Sequence, residues 1–378
     1  MSEFESETEN AALKQRIIER IQREGGLSFR DFMAMALYEP GLGYYTGNRM
    51  VLGREGDYLT SPEVSPLFGA MLGRQLREIW DALGKPSPFD LVEAGAGSGA
   101  LARDVLAWAR RTAPDMFEAA RYTIVEVSEP LVTRQESRLE AEGLADKVRW
   151  SRDIPASVTG VIFSNELLDA MPVERVAVEN GELRKVYVTY SAGNFGEELR
   201  APAQEIAAYF ERLSLLPGEG CRAEVNLDAA AWVRSAAAAL DCGFLLTIDY
   251  GYEAADLYAP WRTDGTLLCF YRHNASTNPY TRLGRQDMTS HVDFTTIRRT
   301  GEEGSLETLG LITQSEFLAN LGIGEAMQPR PGGDMEEYFA RRRAVTELLD
   351  PGGLGRIRVL IQSKGVRDVR LAGLGVQS

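Results

Sequence analysis

The sequence is poor in the residues that build metal and disulfide sites. It has 3 cysteines and 2 histidines in 378 residues. Cys221, Cys242 and Cys269 are widely spaced and form no C-x-x-C pair, so neither a disulfide framework nor a zinc site is expected. His273 and His291 are too few for a histidine-built metal centre. No run of about 20 uninterrupted apolar residues exists, which argues against a membrane-spanning helix. Positive charge is also scarce: 41 Lys and Arg stand against 55 Asp and Glu, a net charge of −14. Extended binding to nucleic acid needs a basic footprint, so no nucleic-acid partner is expected. Residues 1–10 carry Glu3, Glu5, Glu7 and Glu9 without a basic residue, unlike a secretory signal or a mitochondrial presequence, and a cytoplasmic protein is expected. What is present is an ordinary globular balance, 44% hydrophobic and 25% charged, enough for two or three domains or one large domain with insertions.

Leu13, Ile17, Ile18 and Ile21 recur at helical spacing and predict an amphipathic helix over 10–24, ended by Gly25-Gly26. Ser28 with Asp31 has the form of a capping box, and a short apolar helix to Tyr38 follows. Pro40 to Tyr45 reads as a turn-rich loop, and Gly53 to Pro66 as a long stretch without period. Ser65-Pro66 then opens a helix with Phe68, Leu72, Leu76, Ile79 and Leu83 toward a core. From Phe89 the pattern alternates: strands over 89–93, 122–127, 148–150 and 161–164, helices over 100–111 and 131–142. Such alternation predicts a parallel sheet with right-handed crossovers. After Pro172 it breaks. Segments 173–178 and 183–190 flank Asn180-Gly181, a hairpin signal, and an acidic helix over 203–213 follows. A helix over 228–240 and a strand over 243–249 resume the alternation, and 356–362 reads as a last strand, antiparallel at the sheet edge. The expected organisation is a helical and lid-loop extension (1–64), a first part of the sheet domain (65–172), an insertion (173–225) and a second part (226–378).

Glu93-Ala94-Gly95-Ala96-Gly97-Ser98-Gly99 joins the first strand to its helix. Glycines let the backbone turn tightly and let a ligand come close, and the helix N-terminus favours an anion. Gly95, Gly97 and Gly99 are thus cofactor candidates. The anion is a carboxylate if the cofactor is S-adenosyl-L-methionine and a pyrophosphate if it is a dinucleotide. Glu93, placed to meet an amino group, favours the first. Glu126, at the end of the second strand, can accept two hydrogen bonds from ribose hydroxyls. Ser98 sits where a hydrolase nucleophile would, but Ala96 and Ala100 replace the glycines such an elbow needs.

Several strings then resemble the MidA family of class I methyltransferases, over nearly the whole chain. They are Tyr38-x-Pro40-x-x-Gly43-Tyr44-Tyr45, Gly56-Asp57-Tyr58-x-Thr60-Ser61-Pro62-Glu63, the glycine loop, Ser164-Asn165-Glu166-x-x-Asp169-Ala170-x-Pro172, Asp249-Tyr250-Gly251, Gly265-Thr266-Leu267 and His291-Val292-Asp293-Phe294. The resemblance implies an α/β fold: a seven-stranded class I methyltransferase (Rossmann-like) sheet with an N-terminal extension and an inserted hairpin–helix segment. It also implies S-adenosyl-L-methionine as cofactor and symmetric dimethylation of a protein arginine, the partner being a respiratory complex I subunit, since mitochondrial members are assembly factors for that complex. Asn165 and the loop residues Gly56, Asp57, Ser61, Pro62 and Glu63 join the cofactor-side candidates, the loop as a lid. Glu166 and Asp169 follow the fourth strand, where the transferred methyl lies in this fold class; three apart, they would share a face of a helical turn and orient a guanidinium. His291 is a third catalytic candidate and Asp293 stands beside it. A cofactor-binding assembly chaperone with little turnover is the alternative, and a small-molecule methyltransferase a further one.

Overall fold

The computed structural model describes residues 9–47, 59–329 and 334–375. The chain forms two compact units. One is built from the described parts of Leu59–Leu167, Trp232–Tyr250 and Arg298–Ser378; the other from those of Met1–Tyr58, Leu168–Ala231 and Gly251–Ile297. The N-terminal segment, the insertion and the segment after Tyr250 share one unit.

The first unit carries a seven-stranded sheet: β1 Phe89–Ala94, β2 Ala120–Val125, β3 Val148–Ser151, β4 Val158–Asn165, β5 Leu240–Asp249, β6 Glu307–Thr313 and β7 Arg358–Lys364. Their spatial order is β6-β7-β5-β4-β1-β2-β3. The pairs from β5 to β3 are parallel, and β7 runs antiparallel to both β5 and β6. Every residue of β1 is buried, as a parallel strand covered on both faces requires. Helices α1 Ser61–Val64, α2 Pro66–Ala82, α3 Ala100–Thr112 and α4 Glu129–Ala141 belong to this unit. One expectation is corrected: the last strand does not lie at the sheet edge but between β5 and β6. The edge belongs to β6, which the sequence hides. Its residues are half-exposed and its register slips between Thr308 and Gly310, so it lacks the continuous apolar run of its neighbours.

In the second unit, Glu182–Ser191 pairs antiparallel with Glu174–Glu179, with Asn194–Arg200 and with Leu27–Ser28, and Arg222–Val225 extends the sheet. The hairpin at Asn180-Gly181 forms as expected, with φ of 55° and 73° at its two turn residues. A second hairpin turns at Ala192-Gly193, a weaker signal that the sequence reading passed over. The helix Ala11–Glu24 is capped by Asn10 and ends at Gly25, and Ser28 accepts the Asp31 N–H as its capping pattern predicts. No helix among the described residues is long and apolar enough to cross a membrane.

Candidate active site

The parallel strands end in a row. Ala94 of β1 is in register with Val125 of β2 and Ser164 of β4, and Asn165 with Ile248 of β5. The glycine loop leaves β1 at this edge. The Gly95 N–H donates to the Val125 carbonyl (3.0 Å) and that of Gly99 to the Ala96 carbonyl (2.8 Å). Gly95, Gly97 and Gly99 take φ of +68°, +53° and +79°, the left-handed region that a side chain makes costly. A Cβ on Gly95 would also lie 2.6 Å from Leu167 Cδ1. The loop delivers the chain into α3, whose first N–H groups have no intrahelical acceptor and suit an anion.

Two carboxylates flank the loop. Glu93 is 2% exposed and accepts one hydrogen bond from the Tyr122 hydroxyl, at 2.6 Å. Burial pushes its carboxyl up to about 7, against the pull of that hydrogen bond. An acid held this way gains most from a cation arriving beside it. Glu126 is buried as well, and burial raises its carboxyl too. Its Oε1 accepts the N–H groups of Val127 and Ser128 (2.9 Å each), and its Oε2 the Gln135 amide (3.2 Å). A carboxylate offers roughly four acceptor positions. Three are taken, so two hydrogen bonds from a ribose require the Gln135 amide to yield one. Gln135 also donates to the Gly97 carbonyl (2.9 Å) and receives Trp150 Nε1, so it ties loop, α4 and β3 together.

The stretch 59–65 does not continue as loop: Ser61–Val64 is one helical turn with Ser61 and Pro62 buried. It is fastened at both ends. The Glu63 carboxylate accepts from the Ser98 hydroxyl and from Arg138 (3.1 Å), while Arg138 also reaches Ser98 (2.8 Å). The Ser61 N–H donates to Glu166 Oε1 (3.1 Å), and its hydroxyl to Gln314 Oε1 (2.9 Å). Asn165 Nδ2 donates to the same Glu166 oxygen (3.1 Å), leaving Asn165 Oδ1 buried with no hydrogen-bond partner among the described residues. Glu166 itself has φ of +51°, and its N–H is held by the Ile248 carbonyl (2.8 Å). Gly56 and Asp57 lie outside the described residues.

The unit thus brings together Glu93, the three glycines, Glu126, Asn165, Glu166, Ser61, Pro62 and Glu63. Asp169 and His291 belong to the other unit. The expectation that Glu166 and Asp169 share a helical face is corrected: no helix forms over 166–172, because Glu166 turns left-handed straight after β4. The Asp169 carbonyl accepts the Ser290 N–H (2.9 Å), and the His291 N–H donates to Thr266 Oγ1 (3.0 Å). Asp293 is a cap: its carboxylate accepts from the Tyr209 and Thr296 hydroxyls and from two backbone N–H groups opening the helix Phe294–Glu303. Sequence reasoning missed Tyr122, Gln135 and Arg138. Gln135 and Arg138 sit three apart on α4, a spacing that puts them on one face, yet nothing local shows that this face meets the glycine loop.

The pieces fit S-adenosyl-L-methionine: a strained glycine turn at a helix start and, among the described residues, a buried acid without a cation and a buried amide oxygen without a donor. Residues 71–312 match a family described as "Putative S-adenosyl-L-methionine-dependent methyltransferase". The chain is 29% identical over 402 residues to the mitochondrial protein arginine methyltransferase NDUFAF7 homolog of Drosophila melanogaster, spanning 97% of this chain and 88% of that one. It is 30% identical over 337 residues to Bos taurus protein arginine methyltransferase NDUFAF7, covering 81% of this chain and 72% of that one. A crystal structure of a Burkholderia thailandensis protein bound to S-adenosyl-homocysteine superposes with a TM-score of 0.90 at 34% identity, over 97% of this chain and 95% of that one. With these strand ends and this loop, the chain belongs to that family of S-adenosyl-L-methionine-dependent methyltransferases, as its resemblance to MidA proteins implied, and S-adenosyl-L-methionine is its cofactor.

Proposed function

We infer that this methyltransferase acts on arginine side chains of a partner protein, with symmetric dimethylation and a respiratory complex I subunit as the product and partner that the MidA resemblance implies. The observation that carries the reading is Glu166. A glutamate at φ +51° costs about 1 kcal/mol or more relative to glycine. Such strain is kept where the side chain has work to do, and here the carboxylate is aimed by Asn165 and the Ser61 N–H at the end of β4. Relatives spanning most of the chain are named protein arginine methyltransferases, which supports the substrate class. The three free thiols suit a reducing compartment such as a cytoplasm.

The cofactor supplies a sulfonium methyl for in-line displacement. The chain's residues divide the remaining tasks. Glu93 would hold the cofactor's ammonium, the Gly95–Gly99 turn its carboxylate, and Glu126 its ribose. Glu166 pairs with the incoming guanidinium, whose pKa above about 12 keeps it charged and a poor nucleophile unless it is oriented. Asp169 and His291 are the further substrate-side candidates. In this reading, Glu166→Gln keeps fold and cofactor affinity, and methyl transfer falls by roughly two orders of magnitude, as when one preorganised charge is removed. The check is radiolabelled methyl incorporation into an arginine-bearing partner, paired with a partner-assembly assay. A wild-type rate takes Glu166 out of the mechanism. Full assembly without methylation assigns the biological role to the chaperone alternative.

A further inference from the structure

In the second unit a two-rung parallel ladder pairs Gly251 with Val292 and Tyr252 with Asp293. A Cβ on Gly251 would lie 2.2 Å from the Val292 carbonyl oxygen, so only glycine allows this approach. Asp293 is fixed by its hydroxyl and N–H donors, and the His291 N–H by Thr266. The ladder therefore holds two rings in a set relation: Tyr252 and His291, centroids 5.3 Å apart and inclined at 51°. Both are half-exposed. Over the Tyr252 face lies a guanidinium, that of Arg262, its central carbon 4.2 Å from the ring centroid, the closest such contact among the described residues. Arg262 Nε donates to the Asp256 carbonyl (2.9 Å). Next to it in the chain, Trp261 is 74% exposed. A large ring left in solvent beside a cation site suits a protein partner.

We propose that the Tyr252–His291 pair is a guanidinium platform for a docking arginine of the protein substrate, distinct from the one methylated, and that Arg262 is its resident placeholder. The proposal rests on the arginine reading above. A flat, weakly hydrated cation is what a tyrosine face binds best, and the structure already holds one there. A single exposed contact of this kind changes an equilibrium by only about two- to five-fold. Arg262 is thus held weakly enough for a substrate arginine, backed by further contacts from its own chain, to replace it.

The test uses the full chain and ethylguanidinium as probe, followed by calorimetry or by ring chemical shifts. Arg262→Ala is expected to bind the probe about three-fold tighter than wild type. Arg262→Ala with Tyr252→Leu loses that gain, and Arg262→Ala with Tyr252→Phe, which keeps the ring face, retains it and shows that the site survives substitution. Equal affinity in all four proteins overturns the platform. Methylation of an arginine peptide is measured alongside, with a lower KM expected for Arg262→Ala. Arginine methylation with flat probe binding discards the platform and keeps the arginine reading. Probe binding as expected, with no arginine methylated by wild type, upholds the platform and discards that reading.

Discussion

The two units bury charge in opposite ways. In the sheet unit, Glu93 lies near the end of β1 with a single neutral donor, Tyr122, and no cation beside it among the described residues. In the other, Glu174 sits 2.7 Å from Lys185, both nearly inaccessible, and Asp293 collects four donors. A buried carboxylate that is paired with a cation, like Glu174, or collects several donors, like Asp293, acts as internal scaffolding. One that is left short of partners costs stability and is kept because something else completes it. For Glu93 that shortfall points to a ligand, whereas Glu126, with three donors, is a candidate by its place at a strand end.

Substitutions that trade one kind of loss for the other put this contrast to the test. The largest effect is expected from Gly97→Val. A β-branched residue at φ +53° in the glycine turn is expected to abolish S-adenosyl-L-methionine binding in calorimetry while far-UV circular dichroism is retained. Unchanged affinity in the folded variant rejects the loop as the binding site. Next, Lys185→Met strands Glu174 as an unpaired buried carboxylate and costs about 3–5 kcal/mol in denaturant unfolding, with cofactor affinity untouched. A shift in affinity there would show that the units are not so cleanly divided in labour.

Glu93→Gln sharpens the contrast, since it moves stability and affinity in opposite directions. The carboxyl is raised from 4.5 to about 7 by burial. The folded state therefore favours the protonated form, and stability that is full below 4.5 is lost as pH rises through 7, by about 3 kcal/mol in all. Glutamine removes that cost, so the cofactor-free variant melts higher than wild type at pH 8, yet it binds the cofactor more weakly. In the wild type, affinity is full above pH 7 and declines about tenfold per unit below it, because a proton then competes with the cofactor's ammonium. Kd measured at pH 6, 7 and 8 reads this out, and a flat profile rejects the pairing. The smallest effect is expected from Asn180→Ala, which places alanine at φ 55° in the hairpin turn and costs about 1 kcal/mol of stability with no change in either ligand property.

The same contrast explains what could be read from the residues alone. The parallel strands announce themselves because burial on both faces demands an apolar run within a few residues, as in Val161-Ile162-Phe163, and the glycine turn is likewise local. The second unit is assembled from three separated stretches, and the pairing of Leu27–Ser28 with Glu182–Ser191 leaves no local trace. At the candidate site, Glu93, Glu126 and Glu166 could be named from the sequence because each stands at or just past the end of a strand. Tyr122, Gln135 and Arg138 were not, since their role depends on which neighbour the sheet order gives them. The left-handed turn at Glu166 also escaped, because spacing alone suggested a helical face shared with Asp169.

The placement of β7 has a consequence for how the chain is made. Residues Gly243–Asp249 of β5 pair along their whole length with β7, and β6 has β7 as its strand neighbour. During synthesis the strands from β3 to β5 emerge well before Arg358–Lys364. Until those residues leave the ribosome, β5 presents an open apolar backbone edge and β6 has nothing to pair with. A nascent or truncated chain stopping before Arg358 is therefore expected to hold the candidate cofactor-side residues and still be prone to aggregation, which makes the late strand the gatekeeper of soluble yield.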